Sequence, residues 1–185
     1  MLALAIQYAP QLQECYQNTL TDPKYRYYMH GIRRYFIPIE PDDTNKLQYV
    51  SLGAYGNVLG LFECTLNRET MTAYEITAIR FTPEYEPEFA ADMYRFVVDV
   101  IFQQYGMQRV IYNVIKGNKA EKLYDRIIER YGGSIVGTFT NEVRLFDGKL
   151  YDVKYYEMLR ERCLPLLLEV TAESYRSSLG GEINE

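Results

Sequence analysis

The side chains that stand out for chemistry in this chain are its tyrosines and its strand carboxylates. Nineteen tyrosines accompany no tryptophan. A tyrosine buries its ring while its hydroxyl stays wet, so a set of them suits the wall of a ligand cleft; packing at the edge of a core is the competing role. Tyr124 lies on an apolar helical face, where both roles are open, and Glu63 and Glu75 fall in strands, where a carboxylate is either solvent-facing or functional. His30 is the only histidine, which excludes a multi-His metal site. Cys15, Cys64 and Cys163 are odd in number and far apart, so neither a disulfide framework nor a Cys-type zinc site is indicated, and a reducing cytoplasm is the simplest setting. A net charge of -5 argues against general binding to nucleic acid or anionic membranes. One local exception is the segment 24–36, where Lys24, Arg26, Arg33 and Arg34 alternate with aromatics. Such a pattern suits a single-stranded nucleic acid, a lid over a cleft, or an amphipathic cover for a sheet.

These residues need a scaffold, and the clearest piece of it is 107–131. Arg109–Ile115 is β-branched and apolar, as a buried strand requires. Asn118 is placed to cap a helix whose Ala120, Leu123, Tyr124, Ile127, Ile128 and Tyr131 follow a 3.6-residue period, and Gly132 and Gly133 end it. Before this unit, the spacing predicts a helix over Pro10–Leu20 and a second from Pro23 to about 28–30, capped by Asp22. Strands follow at Leu47–Tyr55, Val58–Leu66 and Met71–Phe81, with loops short enough for an antiparallel meander. A long helix from Pro87 to Tyr105, stopped at Gly106, then completes a βαβ crossover into the Arg109–Ile115 strand. Beyond it, Ser134–Thr140 and Glu142–Asp152 read as paired strands, with Asp147-Gly148 interrupting the second, and Lys154–Cys163 as a helix broken by Pro165. The order describes a single α/β (α+β) domain with a mixed sheet and packed helices. The opening MLALAIQYAP lacks the basic flank and length of a signal peptide, and no stretch has the length of a membrane span.

Three segments in this order are similar to the GCN5-related N-acetyltransferase (GNAT) family. Gly56-Asn57-Val58-Leu59-Gly60 resembles the family's hairpin into its third strand, where an apolar pair precedes a glycine. Val114–Tyr124 resembles its strand-to-helix segment, "V…N..A..LY". Phe146–Arg160 is similar to the tail of the ribosomal-protein N-terminal acetyltransferase branch. The resemblance implies a GNAT-like sheet of six to seven strands over residues 1–163, with 164–185 as a C-terminal helical extension and tail. It implies acetyl-CoA as cofactor, lying between the Met71–Phe81 and Arg109–Ile115 strands and held by Ile79, Arg80, Phe81, Asn113, Asn118 and Lys119. Catalysis falls to Tyr124, as proton donor to the departing thiolate, and to Glu75, as acceptor of the amine proton, with Glu63 and Asp152 behind it. The acceptor is then a small-molecule or peptide amine in a cytoplasmic protein without nucleic-acid or membrane partners, and 164–179 suits a dimer contact.

One departure limits what the resemblance implies. The family grips pyrophosphate on a glycine-rich loop, yet no glycine occurs from Leu61 to Tyr105. The matching loop is Thr82-Pro-Glu-Tyr-Glu-Pro-Glu, whose prolines lack amide donors and whose carboxylates repel a diphosphate. Gly117 also stands where the family has its asparagine, with Asn118 displaced by one. An active amine N-acetyltransferase and a GNAT-fold binding or assembly module that has lost CoA therefore both fit the sequence.

Overall fold

A computed structural model of the chain describes residues 1–20, 22–28, 37–40, 44–82 and 87–179. One mixed sheet of seven strands carries the molecule, in the order β1-β2-β3-β4-β5-β7-β6. The strands are β1 (Leu2–Leu4), β2 (Lys46–Leu52), β3 (Val58–Asn67), β4 (Thr72–Arg80), β5 (Arg109–Ile115), β6 (Ser134–Arg144) and β7 (Leu150–Leu159). The helices are α1 (Ala9–Thr19), α2 (Pro87–Arg95, continued by a π-helical stretch Phe96–Gln104), α3 (Ala120–Tyr131) and α4 (Arg160–Leu179). The fold is the α/β mixed sheet expected, within the six to seven strands that the resemblance implies; the order of elements read from the sequence accounts for six of them, and β1 is the seventh.

The meander β2-β3-β4 is antiparallel throughout, and β4 is joined to β5 in parallel through α2. The main core lies where α2, its π-helical continuation, α3 and the start of α4 cover the sheet. Phe62, Phe96, Phe102, Val110, Tyr156 and Cys163 are all at its centre. In the stretch Phe96–Gln104 five side chains are buried, all apolar, while Asp99, Gln103 and Gln104 face solvent, so it is a helix covered on one wide face. A smaller core on α1 gathers Leu12, Val50, Leu52 and Leu61.

Gly60 explains how α2 comes so near the sheet. A Cβ there would lie 2.3 Å from the Phe89 ring of α2 and 2.3 Å from the Ile79 carbonyl oxygen. The apolar pair followed by glycine is thus a close-approach site.

Several elements differ from the sequence reading. Leu2–Leu4, given no element from the sequence, pairs with β2 as an edge strand. Pro23–Tyr28 is a 3₁₀ turn rather than a longer α-helix, although Asp22 does cap it through the Lys24 amide, at 2.9 Å. The turn of the last hairpin is at Leu145–Lys149, and the break expected near Asn141 is instead an irregularity within β6 at positive φ. Lys154–Leu159, expected as helix, completes β7. Its aromatic residues favour a pleated strand, and between β5 and β6 it finds hydrogen-bond partners on both edges. Pro165 does not break α4, which is anchored on both sides of it: Cys163 and Leu167 are buried, and the Tyr94 hydroxyl donates to the Leu167 carbonyl at 2.8 Å. Among the described residues no helix is long and apolar enough to cross a membrane.

Candidate functional site

The site is made by a defect in the sheet. β4 and β5 pair at two positions only, Thr72 with Arg109 and Ala73 with Val110. The closed end is pinned by the Met71 carbonyl, which accepts from the amides of Gln108 and Arg109, and by Arg109 Nε, which donates to Thr72 Oγ1 at 3.2 Å. From there β5 stays with β7 along its whole length while β4 stays with β3, so the two parallel strands part. The backbone groups of β4 that point away from β3 are left without a strand partner on the side of the gap.

A bulge sits where the strands part. The register between β3 and β4 shifts so that Glu75 and Ile76 oppose Cys64, and Glu75 takes φ = 54°. An extra residue bends a strand and increases its twist, which turns β4 away from β5. Positive φ in a residue with a Cβ costs roughly 1–2 kcal/mol. The Glu75 side chain, exposed, accepts a hydrogen bond from Thr65 Oγ1 at 2.8 Å.

The gap opens into a cleft of about 1150 Å³. Glu75–Ile79 of β4 form one wall, and Asn113–Ile115 of β5 with Asn118 and Tyr124 form the other. Tyr16, Leu20, Tyr27, Ile37, Pro38 and Glu40 line a further side, as do β6-β7 residues including Glu142, Arg144 and Tyr155. Tyr27 straps the Pro23–Tyr28 turn to the end of β5, since its hydroxyl donates to the Gly117 carbonyl at 2.7 Å. Gly117 meets that strap at φ = 90°, a conformation suited to glycine.

Of the residues singled out from the sequence, Tyr124, Glu75, Glu63, Ile79, Asn113 and Asn118 all line this cleft. Asn118 is also a helix cap: its Oδ1 accepts from the Ala120 amide at 3.0 Å, while Glu121 reaches back to the Gly117 amide at 3.3 Å. Arg80, Phe81 and Lys119 lie outside the lining. Arg80 ends β4 opposite Gly60, Phe81 packs on the smaller core, and Lys119 is exposed at the start of α3. Asp152 is also elsewhere, accepting from the Asn141 amide at 3.1 Å. Of the predicted pyrophosphate loop, Pro83, Glu84, Tyr85 and Glu86 lie outside the described residues, as does 29–36 of the basic-aromatic segment. Glu88 stands in the first turn of α2.

Cleft residues that sequence reasoning missed are Glu40, Lys46, Glu142, Arg144 and Tyr155. Lys46 pairs with Glu40 at 2.9 Å, and Glu63 accepts from Gln48 Nε2 at 3.0 Å. Tyr155 donates to Glu142 at 2.7 Å, and burial, followed by that hydrogen bond, pushes its hydroxyl up to about 12. Placing the last turn at Asp147-Gly148 alone would have put Glu142 and Tyr155 on facing strands.

No protein-family model matches the sequence, and none of the curated proteins matches it. Solved structures do. A spermidine N-acetyltransferase from Vibrio cholerae in complex with CoA and spermine superposes with a TM-score of 0.65 at 19% identity, covering 89% of this chain and 97% of that one. A single-residue mutant of the Vibrio cholerae enzyme SpeG gives 0.67 at 19% identity, with the same coverages. The spermidine/spermine N-acetyltransferase SpeG of that organism with manganese ions gives 0.57 at 24% identity, covering 67% of this chain and 71% of that one. The chain has the GNAT fold.

Proposed function

We propose that the protein is an amine N-acetyltransferase that uses acetyl-CoA and takes a polycationic amine, of the polyamine class, as acceptor. The observation that carries the reading is the parting of β4 and β5 after two residue pairs, with Tyr124 and Glu75 both lining the cleft it opens. The free edge of β4 fits an amide-bearing arm, which adds to it as an extra strand adds to a sheet edge. Ile79 and the backbone of β4, with Asn113 and Asn118 across the gap, are the residues that would hold that arm. Bound there, acetyl-CoA supplies an acetyl thioester.

The chain's own groups then divide the work. A β4 amide beside the bulge donates to the carbonyl oxygen, held in place by the sheet. Glu75 takes the proton of the attacking amine, directly or through water, and Tyr124 gives a proton at the thiolate sulfur. Nearness and alignment of the two substrates between the strands supply much of the rate.

Charge favours the acceptor class. Among the described residues the cleft lining has four carboxylates, Glu40, Glu63, Glu75 and Glu142, against two cations, Lys46 and Arg144. Lys46 is already paired with Glu40, so the remaining field attracts ammonium groups. The polyamine named in the structural neighbour supports the same class. The test is release of CoA thiol on mixing acetyl-CoA with spermidine, spermine and monoamines. The expected result is turnover fastest with the polyamines. Absence of thiol release with every amine would overturn the reading.

A further inference from the structure

We infer that Asp125, Lys154 and Tyr156 are positioning residues for Tyr124: they clamp the turn of α3 that carries it onto strand β7. The consequence for turnover rests on the proposed acetyl transfer, whereas the geometry stands without it.

Tyr124 meets the sheet at a pair of stacked rings. Tyr112 of β5 and Tyr156 of β7 are register partners, and their rings lie face to face at 5.1 Å and 13°. Tyr124 stands edge-on to both, at 5.1 Å and 84° to Tyr112 and at 5.9 Å and 78° to Tyr156. Both edge contacts are made to strands, while Tyr124 itself rides on α3, so the place of its ring in the cleft follows the rotation of α3 against the sheet.

The clamp fixes that rotation. Asp125, the next residue on α3, accepts at a single oxygen from the Tyr156 hydroxyl at 2.8 Å and from Lys154 Nζ at 2.6 Å. Lys154 Nζ also lies 3.8 Å from Glu121, one turn earlier on α3. Glu121 and Asp125 are i and i+4 on the helix, with Tyr124 between them, and Lys154 and Tyr156 are i and i+2 on one face of the strand. The Lys154 ammonium sits 5.3 Å over the Tyr156 ring, which ties the charge to the same platform. Every hydrogen bond of the set is charge-assisted, and although the Asp125 side chain is 42% exposed the Lys154 side chain is only 15% exposed, so it is two donors converging on one carboxylate oxygen, rather than burial, that hold the geometry. The Lys154 hydrogen bond, then that of Tyr156, draws the Asp125 carboxyl below its usual range.

Rotation of α3 is what the clamp opposes. A side-chain tip at the helix's outer radius, about 6 Å from the axis, moves about 1 Å for a 10° turn. A misplacement of about 1 Å in a catalytic group costs up to about 100-fold in rate.

The experiment replaces Tyr124 by 3-fluorotyrosine and records its fluorine resonance in the otherwise unaltered protein and with Lys154→Met, Asp125→Asn or Tyr156→Phe. The expected result is a shifted or broadened resonance in all three, with the folded protein retained by circular dichroism. An unchanged resonance in Lys154→Met and Asp125→Asn overturns the clamp, whether or not the protein turns over. Kinetics then tests the link to Tyr124. Each variant lowers kcat about 10-fold with KM for acetyl-CoA unchanged, and causes no further loss when combined with Tyr124→Phe. Equal losses with and without the Tyr124 hydroxyl would make the clamp merely structural. A wild-type protein without turnover would instead overturn the acetyltransferase reading while the fluorine result still decides the clamp.

Discussion

At the residue scale, Tyr124 and Glu75 carry the chemical argument, and each separates from its packing role by a conservative change. Tyr124→Phe keeps the ring on the Tyr112–Tyr156 platform and removes only the hydroxyl. Turnover is expected to fall by about 10²-fold while acetyl-CoA affinity, read by titration, stays the same. Equal activity would remove Tyr124 from the mechanism. Hydroxyl chemistry also predicts behaviour in alkali. The folded state holds the Tyr155 proton up to about 12, above its ordinary value near 10. The unfolded chain therefore loses that proton first, and the contribution is intact below pH ~10 and lost as pH rises toward 12. Unfolding midpoints followed across that window should decline less steeply in Tyr155→Phe than in the wild type. These two groups differ in how visible they were. Tyr124 is legible in sequence because it belongs to a strand-to-helix motif, whereas Tyr155 was masked by a helical reading of a segment that its neighbours hold as a strand.

At the scale of elements, the cleft depends on two features of β3 and β4. The bulge at Glu75 bends β4, and Gly60 lets α2 cross the sheet close by. Gly60→Ala should lower the thermal midpoint by about 3–10 °C, from roughly 1–3 kcal/mol of overpacking, because its Cβ meets backbone as well as the Phe89 ring. A midpoint within a degree of wild type would show that α2 adjusts. At the bulge the backbone and the side chain come apart. Glu75→Gly suits φ = 54° and is expected to keep the midpoint within a few degrees, whereas Glu75→Val, β-branched at positive φ, lowers it. Both abolish the carboxylate and its turnover. Most strands and helices here were readable, since the β-branched run Arg109–Ile115 and the period of Ala120–Tyr131 mark the element type, although within α3 only Ile128 is fully buried and Leu123 is exposed. The bulge and the parting of β4 from β5 were not, because both depend on register between strands far apart in sequence. The final hairpin failed for a related reason: Tyr155, Met158 and Leu159 fit a helical spacing and a strand equally, and only the neighbours β5 and β6 decide.

At the scale of the whole molecule, a seven-stranded sheet with one split places an acidic cleft beside a free strand edge, in a chain whose net charge is -5. If the field of Glu63, Glu75 and Glu142 draws the acceptor in, KM for spermine should rise severalfold between about 50 and 500 mM salt, where screening shortens from about 14 to about 4 Å. A KM indifferent to salt would place recognition in shape rather than charge. The expectation drawn from the sequence Thr82-Pro-Glu-Tyr-Glu-Pro-Glu runs the other way, toward exclusion of a diphosphate, and this makes CoA binding the point on which the account turns. The direct measurement is calorimetric titration of the purified protein with acetyl-CoA. The account predicts micromolar affinity at one site per chain. No heat of binding at millimolar acetyl-CoA would contradict it, and would leave a GNAT fold whose cleft serves another ligand.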